Sequence, residues 1–216
     1  MSTDQQVKIR AHPEDVVEGD LRDDDLMVMF RDGDTEAFEI LFGRHHRSVY
    51  NFARMMLRDT HRAEDVLQET FLAVVRTAHR YERRGHFRTW LLRVCRNRCL
   101  NVLDAQRVRR AVSIEAGLQL VDSAPTGRPP AATAEVDERA AFIKQHIEQL
   151  PERQREALAL YAFEQMRYRD IAEVLEIPVN TVKTLIRRAR VQLAKTLAQH
   201  ETDDSARPTP ARGAHP

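Results

Sequence analysis

Apolar residues recur along most of the chain at the three- and four-residue spacing of amphipathic helices. In the first half, this spacing predicts helices at about residues 34–56, 59–78 and 87–110, with a polar loop at 79–86. No stretch shows a convincing two-residue alternation typical of a β-strand. The side chains predicted to be buried in these helices are Phe38, Leu41, Phe42, Val49, Phe52, Met56, Leu67, Phe71, Val74, Val75, Ala78, Phe87, Trp90, Leu91, Val94, Cys95, Cys99, Val102 and Leu103.

The pattern changes at residues 111–136, where Gly, Pro and Ala accumulate without a sustained apolar period. We interpret this stretch as a flexible linker. A second helical unit is predicted at 137–198, and the polar ends at 1–21 and 199–216 are expected to be disordered. The predicted fold is therefore all-α, with two small helical domains, 22–110 and 137–198, joined by the linker.

The composition suits a chain that builds small apolar cores. Its 216 residues are 42% hydrophobic and 31% charged, and no apolar run approaches the roughly 20 residues of a membrane helix. The first residues lack the apolar segment of a secretory signal. Two cysteines are too few for disulfide bonds to stabilise a chain of this length. We therefore expect a cytoplasmic protein with no membrane contact of its own.

The formal net charge is only +1, but the charges are strongly segregated along the chain. Residues 1–40 hold twelve acidic and four basic side chains, whereas residues 76–110 hold eleven arginines and two acids. Residues 181–197 hold five basic side chains and no acid. Two separate basic stretches favour a polyanionic partner that the chain contacts at two places.

Residues 168–190 are typical of a helix, a short turn and a second helix. One side of the second helix is apolar and the opposite side is basic and polar, which suits contact with the DNA major groove. An ordinary helix pair with a solvated charged face is the alternative interpretation, but the acid-free second helix favours DNA binding. The residues predicted to contact DNA here are Asn180, Thr181, Lys183, Thr184, Arg187 and Arg188.

The stretch 80–110 interleaves arginines with aromatic residues, a combination suited to single-stranded nucleic acid. Arginine neutralises phosphate, and an aromatic ring stacks on an unpaired base. Phe87 and Trp90 have a second interpretation, because their helical phase is that of the predicted core. For Trp90 we favour the core, and for the loop residues before it we favour the nucleic-acid contact.

Two further motifs carry a family resemblance. The first set of residues resembles region two of bacterial RNA polymerase sigma factors. It consists of Ala-Glu-Asp-Val-Leu-Gln-Glu-Thr-Phe at 63–71, Phe-Arg-Thr-Trp-Leu at 87–91, and Asn97. The second set resembles region four of the same proteins. It consists of Leu-Pro-Glu-Arg-Gln-Arg at 150–155 and the helix-turn-helix. The order of these motifs and the linker between them resemble the extracytoplasmic-function (ECF) subgroup of the sigma-70 family.

The resemblance implies a sigma factor that binds core RNA polymerase, recognises the −10 and −35 promoter elements and helps to open the DNA. It implies that Asp65, Gln68 and Glu69 dock on the clamp coiled coil of the β′ subunit and that the chain also contacts the β flap. It implies that the second helix of the helix-turn-helix recognises the −35 element. It further implies an anti-sigma factor, nucleoid association in the holoenzyme, and neither enzymatic activity nor a cofactor or metal. The residues implied for the −10 element are Arg80, Tyr81, Arg83, Arg84, Arg88, Arg96 and Asn97.

Some positions depart from the family pattern. Glu176 and Asn180 stand at turn positions where relatives often carry Gly, and Leu185 stands where a polar or basic residue is common. Cys95 and Cys99 lack the further ligands of a metal site, so we expect them to be small buried side chains.

Two other classes of function compete with the sigma factor. A stand-alone helix-turn-helix regulator would not touch polymerase, and the docking motif at 65–71 argues against it. A nucleic-acid-processing enzyme would need paired acids near the basic loop, and the sequence has none there and no Gly-rich phosphate loop. Two routes of inhibition stay open: an anti-sigma factor wedged between the domains, or the acidic segment 1–40 folded back on the basic surfaces.

Overall fold

The structure, a computed structural model, describes residues 21–82, 85–115, 142–143 and 145–205. Every regular element in these residues is helical, and no β-strand occurs among them, which confirms the predicted all-α class. The helices are α1 (Asp23–Arg31), α2 (Thr35–Leu57), α3 (Thr60–Thr77), α4 (Phe87–Glu115), α5 (142–143 and 145–149), α6 (Glu152–Ala162), α7 (Tyr168–Leu175) and α8 (Val179–Ser205). A short 3-10 turn, Ala78–Arg80, follows α3.

Two aspartates begin the helices that the apolar pattern predicts. An Oδ1 oxygen of Asp34 accepts hydrogen bonds from the backbone N–H groups of Glu36 (3.0 Å) and Ala37 (3.3 Å). Asp59 accepts one from the N–H of Arg62 at 3.2 Å. Each carboxylate satisfies a donor that the first helical turn leaves unpaired, and it lies at the positive end of the helix dipole. The starts of α2 and α3 are therefore set by local hydrogen bonding.

Helices α1 to α4 pack as a bundle around a shared apolar core. Most of the predicted core positions are buried or partly buried, but Phe42 and Val75 are 39% and 45% exposed and so lie at the edge of the bundle. Helix α1 was not predicted, because its sequence reads as part of an acidic segment. Its Leu26 and Met27 are nevertheless fully buried, so α1 is a structural part of the bundle.

Helices α5 to α8 form a second unit, in which α6 and α7 pack on α8. Ile171 and Val174 of α7 meet the buried side of α8. Arg155 of α6 is only 6% exposed and donates from Nη1 to the backbone carbonyls of Glu148 and Leu150, both at 3.2 Å. Arg155 thereby joins α6 to the end of α5, and its burial lowers the pKa of its guanidinium.

The two units pack directly against each other. Helix α6 lies against α2, and α7 lies against α4. The apolar core continues across this boundary, since Leu160, Met166 and Ile171 belong to the same buried cluster as the core of the first bundle. The prediction of two helical domains is confirmed, and their contact is a feature that the sequence pattern did not indicate.

Two helices are longer than predicted. Helix α4 continues past residue 110 to Glu115, and α8 continues to Ser205, into the segment expected to be a disordered tail. The rest of the predicted linker and tails, at 1–20, 116–136 and 206–216, lies outside the described residues, as do residues 137–141 at the predicted start of the second domain. Across the part of the chain that the structure describes, no helix combines the length and the apolarity needed to cross a membrane.

Candidate nucleic-acid interface

The outer face of α8 carries all six side chains that the sequence predicts for DNA contact there. Val182, Ile186 and Ala189 on the opposite face are at most 2% exposed, so they fix the helix against α6 and α7. No ion pair among the described residues involves a basic side chain of this face. The exposed residues are Asn180, Thr181, Lys183, Thr184, Arg187 and Arg188.

The turn before α8 contains a left-handed residue. Glu176 has φ 55° and ψ 43°, a conformation that costs a residue with a side chain about 1–2 kcal/mol. The N–H of Ile177 donates to the carbonyl of Ala172 at 3.1 Å and closes the end of α7. Asn180, in contrast, lies in the first turn of α8, so its assignment to the turn was wrong. Of Glu176 and Asn180, Glu176 is therefore the one that takes a geometry that favours glycine.

An aromatic cluster lies where the loop after α3 meets α4. The ring centroids of Tyr81, Phe87 and Trp90 are 5.8 to 6.1 Å apart. Trp90 is partly buried against the core, which confirms its interpretation as a core residue. The Tyr81 hydroxyl donates to the carboxylate of Asp24, and burial together with this carboxylate raises the pKa of Tyr81.

Asp24 was not recognised as a structural residue in the sequence. It is 8% exposed and also accepts a hydrogen bond from the N–H of Gly85 at 3.2 Å. One carboxylate of α1 therefore holds both ends of the basic loop, at Tyr81 and Gly85. The run of three aspartates at 23–25 was the available signal, but it reads equally well as solvated charge.

The residues predicted for the −10 element divide into four groups. Arg80 and Asn97 are exposed, whereas Arg83 and Arg84 lie outside the described residues. Tyr81 is partly buried by its contact with Asp24. The other two, Arg88 and Arg96, contact acidic side chains of the second unit.

These two contacts pair arginines of α4 with carboxylates that lie far away in the sequence. Arg96 donates from Nε to Glu156 of α6 at 3.1 Å, and the two side chains are 10% and 2% exposed. Arg88 donates from Nη2 to Glu164 at 2.6 Å, and the hydroxyl of Ser48 donates to the same oxygen. Burial raises the pKa of Glu156 even though Arg96 acts in the opposite direction. Sequence reasoning missed both carboxylates, because no local motif marks them.

The predicted docking residues share one exposed face of α3. Asp65, Gln68 and Glu69 are all exposed, and the face continues into Leu72 and Val75, which are 49% and 45% exposed. The structure therefore places an apolar patch beside the polar residues. An apolar centre with a polar border is typical of protein contact surfaces.

The two cysteines are buried side chains of α4. Cys95 and Cys99 are both fully buried, as predicted, and the Cys95 thiol donates to the carbonyl of Val49 at 3.7 Å. The adjacent Cys95 and burial raise the pKa of the Cys99 thiol, which disfavours the reactive thiolate. Within the described residues, no group of three His, Cys, Asp or Glu side chains is arranged to bind a metal.

Comparison with known families accounts for both units. Residues 41–109 match the sigma-70 region 2 family, and residues 143–193 match the sigma-70 region 4 family. The chain belongs to the sigma-70 family. Its matched segments contain the α3 face and the α4 arginines in region 2 and the basic face of α8 in region 4. This sigma factor therefore binds core RNA polymerase and directs it to promoters for transcription initiation.

Full-length relatives support the same family. The chain is 32% identical over 185 residues to the RNA polymerase sigma-H factor of Pseudomonas aeruginosa, an alignment that covers 82% of this chain and 94% of the relative. It is 30% identical over 180 residues to the ECF RNA polymerase sigma factor SigM of Mycobacterium tuberculosis, covering 83% and 87%. The relatives are sigma factors rather than enzymes, and the ECF subgroup agrees with the motif order.

The fold also resembles that of two solved proteins. The structure of CnrH in complex with the cytosolic domain of CnrY has a TM-score of 0.61 and 26% identity, and covers 82% of this chain and 97% of the solved chain. The sigma factor RpoE of Bartonella quintana, solved in complex with the anti-sigma factor NepR, matches this structure with a TM-score of 0.60 and 22% identity. This match covers 74% of this chain and 96% of the solved chain. The second similarity concerns the fold alone.

Proposed function

We propose that this sigma factor divides promoter recognition and polymerase binding among three surfaces. The face of α8 contacts the −35 element, the loop after α3 and the first half of α4 contact the −10 element, and the exposed face of α3 contacts polymerase. Region 2 is proposed to span 22–110 and region 4 to span 137–198. The observation that carries the proposal is the exposed, acid-free face of α8, opposite a fully buried apolar side.

For the −35 element, α8 would lie in the major groove. Arg187 and Arg188 can each donate two hydrogen bonds to a guanine edge, and Asn180 can bind adenine in the same bidentate manner. Leu185 is partly buried and packs against the core, so this departure from the family pattern supports helix packing rather than a base contact. Lys195, exposed farther along α8, suits a phosphate contact.

For the −10 element, arginines and aromatic side chains would hold the separated strand. Arg80, Arg83, Arg84, Arg88 and Arg96 neutralise phosphates, while the loop beside Tyr81 receives a displaced base. Asn97 adds an exposed amide that can donate and accept hydrogen bonds. Since Tyr81 is tied to Asp24, its ring is already oriented before DNA arrives.

For polymerase, the proposed contacts are the β′ clamp coiled coil, with Asp65, Gln68 and Glu69 of α3, and the β flap with region 4. An anti-sigma factor is proposed to control the protein, which is supported by the anti-sigma factor NepR bound to RpoE, a protein of the same fold. The protein would then act in the cytoplasm, associate with the nucleoid in the holoenzyme, and have no catalytic activity of its own.

Run-off transcription tests the proposal. The full-length chain is combined with core polymerase and a library of genomic fragments, and the start sites are mapped. We expect transcripts whose start sites share two upstream sequence elements, and the loss of these transcripts when the chain is omitted. Co-purification with core polymerase without any promoter-specific transcript would contradict the proposed promoter contacts.

A further inference from the structure

One carboxylate oxygen of α1 joins two points of the region proposed for the −10 element. Oδ1 of Asp24 accepts a hydrogen bond from the hydroxyl of Tyr81 and another, at 3.2 Å, from the backbone N–H of Gly85. These two donors lie at the two ends of the loop that separates α3 from α4. Asp24 is 8% exposed, and an acid repels phosphate, so any effect of Asp24 on DNA acts through the groups that it holds.

Asp24 is fixed in place, because α1 is attached to the first bundle on both sides of it. Leu26 is fully buried in the core. On the other side, Asp23 Oδ2 lies 2.7 Å from Nε2 of His45 on α2. The carboxylate of Asp24 therefore cannot follow movements of the loop, and the orientation of Tyr81 is set by α1.

Aromatic packing alone leaves the Tyr81 ring incompletely fixed. Its centroid lies 6.1 Å from that of Phe87 and 6.0 Å from that of Trp90, in edge-to-face contacts. Such pairs are tolerated over a range of distances and angles, so they do not select one orientation. A hydrogen bond to a carboxylate is stronger and directional, and it selects one. Burial and the Asp24 carboxylate raise the pKa of Tyr81, so the hydroxyl keeps the proton that it donates.

Tyr81 is also a ring of this cluster that a base can reach. Phe87 is 1% exposed, whereas Tyr81 and Trp90 are partly exposed. A base that leaves the duplex stacks on an accessible ring, and the stacking depends on how that ring is oriented. A ring that Asp24 already holds loses little conformational freedom when the strand arrives.

The second hydrogen bond fixes the other end of the loop. Gly85 has φ 73°, in the left-handed region that glycine adopts without steric cost. A Cβ at this position would meet no atom of the described residues within 4 Å, so the backbone angle favours glycine here rather than a lack of space. The N–H of Gly85 donates to Asp24 two residues before α4 begins. Asp24 therefore sets both the Tyr81 ring and the entry into α4 relative to α1.

We infer that Asp24 is a positioning residue for −10 recognition, which holds the Tyr81 ring in the orientation that receives a displaced base. Asp24 itself does not touch the DNA. Its effect falls on promoter opening, when a base leaves the duplex, and not on the first binding of the duplex. This inference rests on the proposed assignment of Tyr81 to the −10 element.

Three full-length variants separate hydrogen bonding from charge. Asp24→Ala removes the acceptor, whereas Asp24→Asn removes the charge but keeps a carbonyl oxygen that can accept both hydrogen bonds. Asp32→Asn is the matched control, because Asp32 is exposed at the other end of α1, where its carboxylate lies 2.9 Å from Nε of Arg31. Each variant is combined with core polymerase and with promoters that wild type transcribes in the run-off assay.

The dependence of the abortive-initiation lag on holoenzyme concentration separates the rate of promoter opening from the affinity of first binding. We expect Asp24→Ala to open promoters about tenfold more slowly, the order of one lost base–aromatic stack, with first binding unchanged. Asp24→Asn should stay within about threefold of wild type, because a neutral acceptor makes the same bonds more weakly. Asp32→Asn should match wild type. Equal opening rates for Asp24→Ala and Asp24→Asn would overturn the inference, since the rate would then not depend on the hydrogen bonds.

Tyr81→Phe keeps the ring and removes the hydroxyl, so it tests the same hydrogen bond even if far-UV circular dichroism shows that Asp24→Ala does not fold. It should open promoters about as slowly as expected for Asp24→Ala, and opening at the wild-type rate would overturn the positioning role.

The single tryptophan of the chain, Trp90, reports the ring without DNA, because it lies beside Tyr81. We expect acrylamide quenching of its fluorescence to change in Tyr81→Phe and Asp24→Ala but not in Asp24→Asn or Asp32→Asn. Unchanged quenching in Tyr81→Phe would show that the hydroxyl does not hold the ring, and the inference would be wrong.

Tyr81→Ala separates this inference from the proposed function. Normal promoter opening by Tyr81→Ala would contradict the assignment of Tyr81 to the −10 element, and the inference would fail with it. The same holds if wild type yields no promoter-specific transcript. Slow opening by Tyr81→Ala, combined with opening at the wild-type rate by Tyr81→Phe, would leave the −10 assignment in place and overturn the positioning role of Asp24 alone.

Discussion

Arg98 of α4 donates from Nη1 to the carboxylate of Glu69 on α3 at 3.2 Å. The pair connects the proposed docking face to the helix that carries the −10 arginines. Both side chains are partly exposed, at 37% and 58%, so we expect the pair to contribute at most about 1 kcal/mol to the free energy of unfolding. Glu69 therefore has a structural contact, whereas no ion pair among the described residues involves Asp65. Asp65 is the cleaner position at which to test docking.

The first prediction concerns polymerase docking. Asp65→Ala should weaken association with core polymerase by about 1–2 kcal/mol, because it removes an exposed charge from the proposed contact. The melting temperature should not change, since Asp65 contributes to no core contact. Surface plasmon resonance with immobilised core enzyme measures the affinity. Glu39→Ala, an exposed acid on α2, is the control, and equal affinity of both variants would refute the docking assignment.

The second prediction concerns base recognition by α8. Arg187→Ala or Arg188→Ala should cost about 1–3 kcal/mol on the preferred −35 duplex and relax specificity at one base pair. Lys195→Ala should weaken binding to all duplexes evenly, because a phosphate contact carries no sequence information. Fluorescence anisotropy on single-base-substituted duplexes distinguishes the two. A uniform loss for all three variants would show that neither arginine contacts a base.

The third prediction concerns the turn between α7 and α8. Glu176 has φ 55°, so Glu176→Gly should relieve backbone strain and raise the free energy of unfolding by about 1 kcal/mol. Glu173→Gly, inside α7, should lower it by about 1 kcal/mol because glycine weakens a helix interior. Urea unfolding measures both values. Destabilisation of similar size in the two variants would show that the backbone at Glu176 is not strained.

The fourth prediction concerns acid stability. Asp23 lies 2.7 Å from His45 Nε2 and 3.1 Å from Arg44 Nη1. Burial acts to raise the pKa of Asp23, but the hydrogen bonds and charges of His45 and Arg44 outweigh it and hold this pKa below its ordinary value of 3.8. The pKa of Asp23 is therefore lower in the folded state than in the unfolded state. Ionised Asp23 accordingly stabilises the fold above its ordinary pKa, and this stabilisation is lost as the pH falls through the folded-state pKa.

Asp23→Asn should accordingly lower the melting temperature at about pH 6 and have a smaller effect at about pH 3. Asp65→Asn, at an exposed position without an ion pair among the described residues, is the control and should show no such trend. Differential scanning calorimetry across this range measures the effect. A destabilisation by Asp23→Asn that does not change with pH would show that the ionisation of Asp23 does not contribute to stability.

Helix positions were largely predictable, because helix formation depends on contacts within a few residues. Asp34 and Asp59 cap the helices that the apolar spacing indicates, and the exposed face of α8 follows from a helical period. The errors occurred where local pattern and tertiary burial differ. Phe42 and Val75 fit the apolar stripes, yet they lie at the edge of the bundle. Helix α1 was missed because its acidic residues conceal its two buried apolar side chains.

The sequence by itself determined the helical class, the charge segregation and the two family motifs, since each depends on residue type and spacing along a short stretch. Only the tertiary structure decided which charged groups meet. Arg96 and Glu156 are 60 positions apart, and Arg88 and Glu164 are 76 apart. No local pattern encodes such a pair, because an ion pair depends on the separation of its charges in space, and that separation is set by how the two units pack.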